Sequence, residues 1–160
     1  MVIPPMDNQL FLSEIEAMER SLYRVSRSLL PSAEECADAV QEALTKAWSK
    51  LNTVQPEHFR PWLMRIVINE CHNISRRKKR VVLVAEIELP QGAEQAPNED
   101  LREAIAALPE RLRLPLLLHY LEGFSVEETA KMLRLPAGTV KSRLHHARLS
   151  LRAQLLEVQA

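Results

Sequence analysis

The chain is poor in the residues on which sheet, disulfide-built and membrane proteins depend. Only three of its 160 residues are glycine and four per cent are aromatic, so the glycine turns and aromatic strand pairs of β architectures have little to draw on. Leu, Ala, Glu and Arg are plentiful instead, and these favour helix. An all-α protein is therefore expected. The two cysteines, Cys36 and Cys71, sit inside helical patterns without CxxC spacing, which argues against a disulfide framework or a zinc site and fits a reducing cytosol. No apolar run approaches bilayer length, and the opening MVIPPMDNQLF lacks the plan of a signal peptide. The expectation is a soluble, cytoplasmic protein without membrane insertion.

Net charge is formally zero, which taken alone argues against nonspecific nucleic-acid binding. The average hides a segregation. Residues 1–80 hold 12 basic against 10 acidic side chains, residues 81–100 none against 5, and residues 101–160 hold 9 against 6. Two mildly basic blocks flank an acidic bridge, and no internal repeat is evident. Residues 85–100, AEIELPQGAEQAPNED, combine two prolines, a glycine and five acids, the composition of a linker. The division predicted is 1–80, a linker at 81–100, and 101–160. Val81 to Val84 is a short aliphatic run whose structure the pattern leaves open.

The most organised stretch runs from Leu121 to Leu156. Ser125 followed by Glu128 has capping-box spacing, and Val126, Ala130 and Leu133 share the inner face of the helix so started. The run stops at Arg134-Leu135-Pro136-Ala137-Gly138, where Pro and Gly oppose helix. From Thr139 a second helix turns Val140, Leu144, Ala147, Leu151 and Leu155 inward, with Lys141, His145, Arg148 and Arg152 at helical spacing on another face. This is a helix-turn-helix. In such motifs the second helix enters the major groove and its first residues meet base edges. Thr139, Lys141, Ser142 and His145 are then the base readers, with Arg143, Arg148 and Arg152 nearer the phosphates. An amphipathic hairpin with a solvated basic face has the same spacing.

Upstream, Phe11, Ile15, Met18, Leu22, Val25 and Leu29 form one apolar stripe of a helix ending before Pro31. Ser32 with Glu35 gives another capping box, and Val40, Leu44, Ala47 and Leu51 line a second helix ending near Asn52. Its outer face carries Asp38, Gln41, Glu42 and Lys46. After a polar connection, Asn52 to His58, a third helix spans Phe59 to Arg77 with Phe59, Leu63, Ile66, Val67, Cys71 and Ile74 inward and Pro61 in its first turn. Opposite lie Arg65, Asn69, His72 and Arg76, with Trp62 and Asn73 adjoining. Cations for phosphates, a flat ring for stacking and amides for a base edge are what single-stranded DNA requires. An ordinary polar face with Trp62 half buried is the alternative. Arg76, Arg77, Lys78, Lys79 and Arg80 close the block with five consecutive cations suited to phosphates. Beyond the linker, Asn98-Glu99-Asp100 marks a helix start with Leu101, Ile105 and Leu108 on one face. Pro109 opens another, with Leu114, Leu117, Leu118 and Leu121 as its apolar side. Pro115 should distort that helix unless it starts near Arg113. Gly123 ends it.

Three strings carry a family resemblance. LPERLRLPLLLHYLEGFSVEETAKMLRLPAGTVKSRLHHARLSLRAQL resembles region four of bacterial extracytoplasmic-function (ECF) sigma factors of the sigma-70 family, with GTVKSRL at Gly138 to Leu144 as its most specific part. DAVQEALTKAWSKL at Asp38 to Leu51 resembles the part of region two that docks on RNA polymerase. FRPWLMRIVINECHNISRRKKR resembles the segment that melts and reads the promoter minus-ten element. The resemblance implies a region-two bundle and a region-four helix-turn-helix, with core RNA polymerase (clamp helices and flap) and promoter DNA as partners. By it Asp38, Gln41 and Glu42 are polymerase contacts. Asn69 helps form the pocket for a flipped base, which the loop Asn52 to His58 should shape. The acidic linker would thread a basic channel of the polymerase, and its roughly 20 residues reach ~66 Å when extended. Many relatives have an anti-sigma factor, which implies one here. The chain departs from the pattern at three places: Arg134 stands where a helix-ending glycine is common, His119 where a DNA-contacting arginine is frequent, and His146 where arginine is usual. Histidine is mostly neutral at pH 7, so the last two should weaken phosphate affinity.

Binding, not catalysis, is the activity expected, with no cofactor and no metal. A metal or hydrolase site from His119, His145 and His146 is disfavoured, because His119 lies on another helix and the adjacent histidines point apart. A stand-alone helix-turn-helix regulator, binding duplex DNA without polymerase, is the stronger rival.

Overall fold

The computed structural model describes residues 5–78 and 99–159. Lys79 and Arg80, the run Val81 to Val84, the acidic stretch up to Asn98 and the helix start assigned to Asn98 lie outside the described residues. The chain divides into two units, Met1–Ala85 and Glu86–Ala160. Each is built of helices alone among the described residues.

The first unit packs three helices pairwise. Helix α1, Asn8–Leu29, starts where the Asp7 carboxylate accepts from the Leu10 amide at 2.7 Å, satisfying one of the amides left without a helical partner. It ends at Leu30, whose extended backbone is what the following Pro31 demands. Helix α2, Ala33–Ser49, is capped by Ser32, whose hydroxyl accepts from Glu35 N at 3.1 Å. Only this half of the expected box is made, because the Glu35 carboxylate turns to Lys78. The polar connection is more ordered than its composition predicts: it holds two 3₁₀ turns, Leu51–Thr53 and Pro56–His58, with Leu51 buried at its start and Val54 buried between the turns.

Helix α3, Phe59–Arg77, has Pro61 in its first turn, where a missing amide deprives no carbonyl of a partner. Phe59 is wholly buried and meets Phe11 edge-on at 5.7 Å, an arrangement that places the positive ring edge on the negative face. Leu63, Met64, Val67, Ile68 and Cys71 complete the buried side. Ile66 and Ile74, expected inward, are half-buried, and Met64 and Ile68 fill the core in their place. An exposed ion pair, Arg60 Nε to Glu14 Oε2 at 2.7 Å, joins α3 to α1.

Among the described residues neither cysteine is in a disulfide, both are buried in this unit, and burial pushes the Cys36 thiol up to about 11. A folded value above the ordinary 9.0 stabilises the fold fully below pH 9, and that contribution disappears as pH rises to 11. Lys46 and Lys78, raised by hydrogen bonds to Glu70 and Glu35, act in the same direction above the ordinary lysine range. Stability of this unit is therefore expected to fall from about pH 9 upward. Denaturant midpoints measured at steps between pH 8 and 11 should decline, and Cys36→Ala should remove the earliest part of the decline.

The second unit contains α4, Glu99–Ala107, α5, Glu110–Leu116, a π turn, Leu117–Leu121, then α6, Val126–Leu133, and α7, Ala137–Gln159. Helix α5 begins directly after Pro109 and runs through Pro115, so the start near Arg113 is not needed. Burial of Leu112, Leu114, Leu116, Leu117 and Leu118 outweighs the one amide that proline removes. Two residues later the turn widens, with Glu122 N donating to Leu117 O at 2.9 Å. The widened turn shifts the side-chain register. Leu121, expected on the apolar side, is 46% exposed as a result. Gly123, at φ 78°, ends the segment in the left-handed region, with Phe124 N returning to Leu118 O at 3.0 Å.

Helix α7 is the spine of this unit. Near its start Val140 and Leu144 pack with Ala130 of α6, and one turn on Ala147 packs with Ile105, Leu108, Leu112, Leu116 and Leu117. The helix begins at Ala137, two residues ahead of the expected Thr139. Gly138 therefore lies in its first turn, not in the connection. Pro136 acts as the start signal there: its carbonyl accepts from Thr139 N and Val140 N at 3.0 and 3.2 Å, and a proline ring before the first turn removes no helical hydrogen bond.

Candidate nucleic-acid and partner interfaces

Steps of three and one along α2 place Asp38, Gln41 and Glu42 together, and all three are exposed. Beside them, between α2 and α3, lies a groove of about 400 Å³ lined by Asp38, Glu42, Ile74 and Arg77 together with two ion pairs. In the first, Lys78 Nζ lies 2.6 Å from Glu35 Oε1. In the second, Lys46 donates to the buried Glu70. Glu35 is buried too, and among the described residues its Oε2 has no hydrogen-bond partner. Neither carboxylate stood among the sequence candidates. Glu70 was findable, since it falls three residues after Val67 and four before Ile74 on the inner face. In the sequence Glu35 has the spacing of half a capping box and nothing that points to Lys78.

Away from the groove α3 carries Arg65, Asn69, His72 and Asn73, all half-buried, and the exposed Arg76, whereas the exposed Arg77 lies on the groove side with Glu70. Arg76 is tied down locally: Nη2 donates to Asn73 Oδ1 at 2.7 Å and Nε to the His72 carbonyl at 3.4 Å. Trp62 is half-buried with its ring 5.9 Å from that of Phe59, tilted by 41°. It is at once the rim of the core and a flat surface on the helix face of Arg65 and Asn69. Lys78, expected on phosphates, is held by Glu35 and raised by that bond.

In the second unit Ser125 and Glu128 form the reciprocal capping box, each bond 3.0 Å. Along α7, Lys141, Ser142, His145, His146, Arg148 and Arg152 are exposed, while Thr139 and Arg143 are half-buried. The rings of His145 and His146 lie 6.0 Å apart. His119 is on the π turn, where its Nδ1 bonds the Phe124 carbonyl at 2.7 Å. A carbonyl can only accept, so Nδ1 carries the proton and the ring is fixed over the segment that leads into α6. Next to it, Tyr120 accepts a hydrogen bond from Arg148 Nη1. That contact spans 28 residues and no sequence spacing announces it. Among the described residues no three His, Cys, Asp or Glu side chains form a group able to hold a metal ion.

Arg134, where a glycine is common in the family resembled, has φ 56° and ψ 44° and caps α6 from the left-handed region. A side chain there costs about 1–2 kcal/mol, part of which glycine returns through a freer unfolded chain. Arg134→Gly is expected to stabilise this unit by about 0.5–1 kcal/mol, read as a rise in its thermal midpoint.

Two helical units, one with an acidic and amide face beside a basic helix and one with a capped helix-turn-helix, define a DNA-binding initiation protein of two parts. The family model for sigma-70 region 2 matches residues 15–81, and that for sigma-70 region 4 matches residues 98–151. RNA polymerase sigma factor SigV of Bacillus subtilis is 31% identical over 142 residues, covering 86% of both chains. ECF RNA polymerase sigma factor EcfG of Rhodopseudomonas palustris is 32% identical over 150 residues, covering 89% of this chain and 83% of that one. Among solved structures, the sigma factor RpoE of Bartonella quintana, in complex with the anti-sigma factor NepR, superposes with a TM-score of 0.79 at 27% identity. That match covers 91% of this chain and 96% of the other.

The chain belongs to the sigma-70 family and is an ECF RNA polymerase sigma factor. It is an alternative sigma factor that directs promoter-specific transcription initiation. A stand-alone regulator is not favoured, since the region 2 match occupies the first unit, which such a regulator would not need. Among the described residues no helix is long and apolar enough to cross a membrane.

Proposed function

We propose a division of labour along the chain: residues 1–80 dock on core polymerase and open the minus-ten element, 81–100 connect, and 101–160 hold the minus-thirty-five element. Asp38, Gln41 and Glu42 meet the clamp helices. Trp62, Arg65, Asn69, His72 and Asn73 receive unstacked bases, with Arg76, Arg77, Lys79 and Arg80 on the adjoining phosphates and Lys78 joining them only on release from Glu35. The start of α7 enters the major groove, with Thr139, Lys141, Ser142 and His145 toward bases and Arg143, His146, Arg148 and His119 toward phosphates. The chain itself performs no bond chemistry, and it works in the cytoplasm, where polymerase and promoter meet. An anti-sigma factor is its controlling partner, by analogy with the RpoE relative solved with NepR.

The observation that supports this most is the exposed row Lys141, His145 and Arg148 on a helix whose other side buries Val140, Leu144 and Ala147. No carboxylate pairs with any of the three among the described residues. Two cations, Lys141 and Arg148, left without a carboxylate and flanking a ring N–H donor are what phosphates and base edges require.

Photo-crosslinking tests it. A photoreactive residue at position 69 in reconstituted holoenzyme should label the minus-ten region of the non-template strand, and one at position 145 the minus-thirty-five region. Labelling exchanged between the two elements, or confined to polymerase, would contradict the division.

A further inference from the structure

The Tyr120 hydroxyl and ring hold a cation of the DNA-facing helix without neutralising it. Arg148 donates from Nη1 to the Tyr120 hydroxyl, and its guanidinium carbon lies 6.0 Å from the ring centroid, within reach of a cation–π attraction. Tyr120 is 50% exposed because the π turn Leu117–Leu121 carries it outward. Its own position is fixed from the other side, where the His119 ring meets it edge-on at 4.8 Å. His119 is in turn bonded to the Phe124 carbonyl. A continuous chain of contacts thus runs from the segment leading into α6, through two aromatic rings, to Arg148 on α7.

Lys46 and Lys78 in the first unit are also held, but by carboxylates that cancel their charge. Tyr120 is a neutral acceptor. A guanidinium has five N–H donors, so one bond to a phenol leaves four donors and the whole positive charge available. An exposed arginine otherwise has many rotamers, and ordering it on binding lowers affinity.

We propose that Tyr120 is a positioning residue for promoter recognition: it sets the Arg148 guanidinium in advance for a phosphate of the minus-thirty-five element. The proposal rests on the reading that Arg148 meets DNA. The test uses holoenzyme reconstituted with core polymerase and a linear duplex carrying a start site mapped with the wild type, with affinity measured over a range of salt. Tyr120→Phe, which keeps the ring and loses the acceptor, should weaken promoter affinity about two- to five-fold and flatten the dependence of log affinity on log salt. Arg148→Ala should flatten that slope by about one unit of charge. In the Arg148→Ala background Tyr120→Phe should change nothing further. The thermal midpoint of Tyr120→Phe should match wild type, which separates positioning from folding.

The proposal is overturned if Tyr120→Phe lowers affinity equally with and without Arg148, or if Arg148→Ala weakens binding while Tyr120→Phe leaves affinity and slope untouched. If Arg148→Ala itself leaves affinity and slope unchanged, the assignment of Arg148 to DNA fails, and the positioning role fails with it.

Discussion

Charge reversal at Asp38→Arg together with Glu42→Arg is expected to lower affinity for core RNA polymerase by about 2–3 kcal/mol, roughly 30- to 150-fold. Both side chains are exposed on α2 but line the groove with Lys46 and Lys78, so the pair should lower folding stability by no more than about 1 kcal/mol. The loss follows if the acidic face of α2 meets cations of the polymerase. Lys46→Glu should not reproduce it in the same way, because Lys46 is bound to the buried Glu70. Removing that cation strands a carboxylate in the interior and should instead destabilise the unit. Core affinity and thermal midpoint measured side by side distinguish a docking residue from a supporting one. A drop in midpoint as large as the one for Lys46→Glu would assign Asp38 and Glu42 to the fold.

Asn69→Ala is the second large effect expected. An amide aimed at a base edge is worth about 1–3 kcal/mol of discrimination, so open-complex formation should fall roughly 5- to 150-fold with core affinity unchanged. Loss should be concentrated at one promoter position, seen as reduced permanganate reactivity of the melted strand and a flattened preference there. Arg76→Ala should act more broadly across sequences, as phosphate contacts carry no base identity. Its release of Asn73 Oδ1 would add a smaller local change. If Asn69→Ala lowers every promoter equally, this residue belongs with the phosphate contacts and not with a base pocket.

Local signals made much of this molecule legible from its sequence. The bounds of α3, the Ser125–Glu128 box and the stop at Gly123 each depend on residues within one helical turn, where steric and hydrogen-bonding rules act directly. The inner face of α7 was readable for the same reason. What escaped was set by distance or by competition. Glu35 satisfied a local pattern but found a better partner 43 positions away in Lys78. Pro115 reads as a helix breaker, yet five buried leucines around it hold the helix and a π turn absorbs the register. Gly138 reads as part of a turn, but Pro136 starts the helix first. A substituent there would meet nothing within 4 Å, so no contact inside the chain calls for glycine. The exposed rows at Asp38 and Lys141 followed from spacing. The ties of Lys46, Lys78 and Arg148 did not, and they separate cations that are neutralised from one that is merely held.

The central claim, that the chain gives core polymerase a promoter preference, is tested most directly by in vitro transcription over a genomic fragment library with purified core polymerase. Wild type, Asp38→Arg/Glu42→Arg and Asn69→Ala are compared. Discrete start sites should appear only with this protein, fade with the docking reversal, and shift or weaken at one minus-ten position with Asn69→Ala. No specific starts with core polymerase, alongside a footprint of the free protein on duplex DNA, would contradict the account.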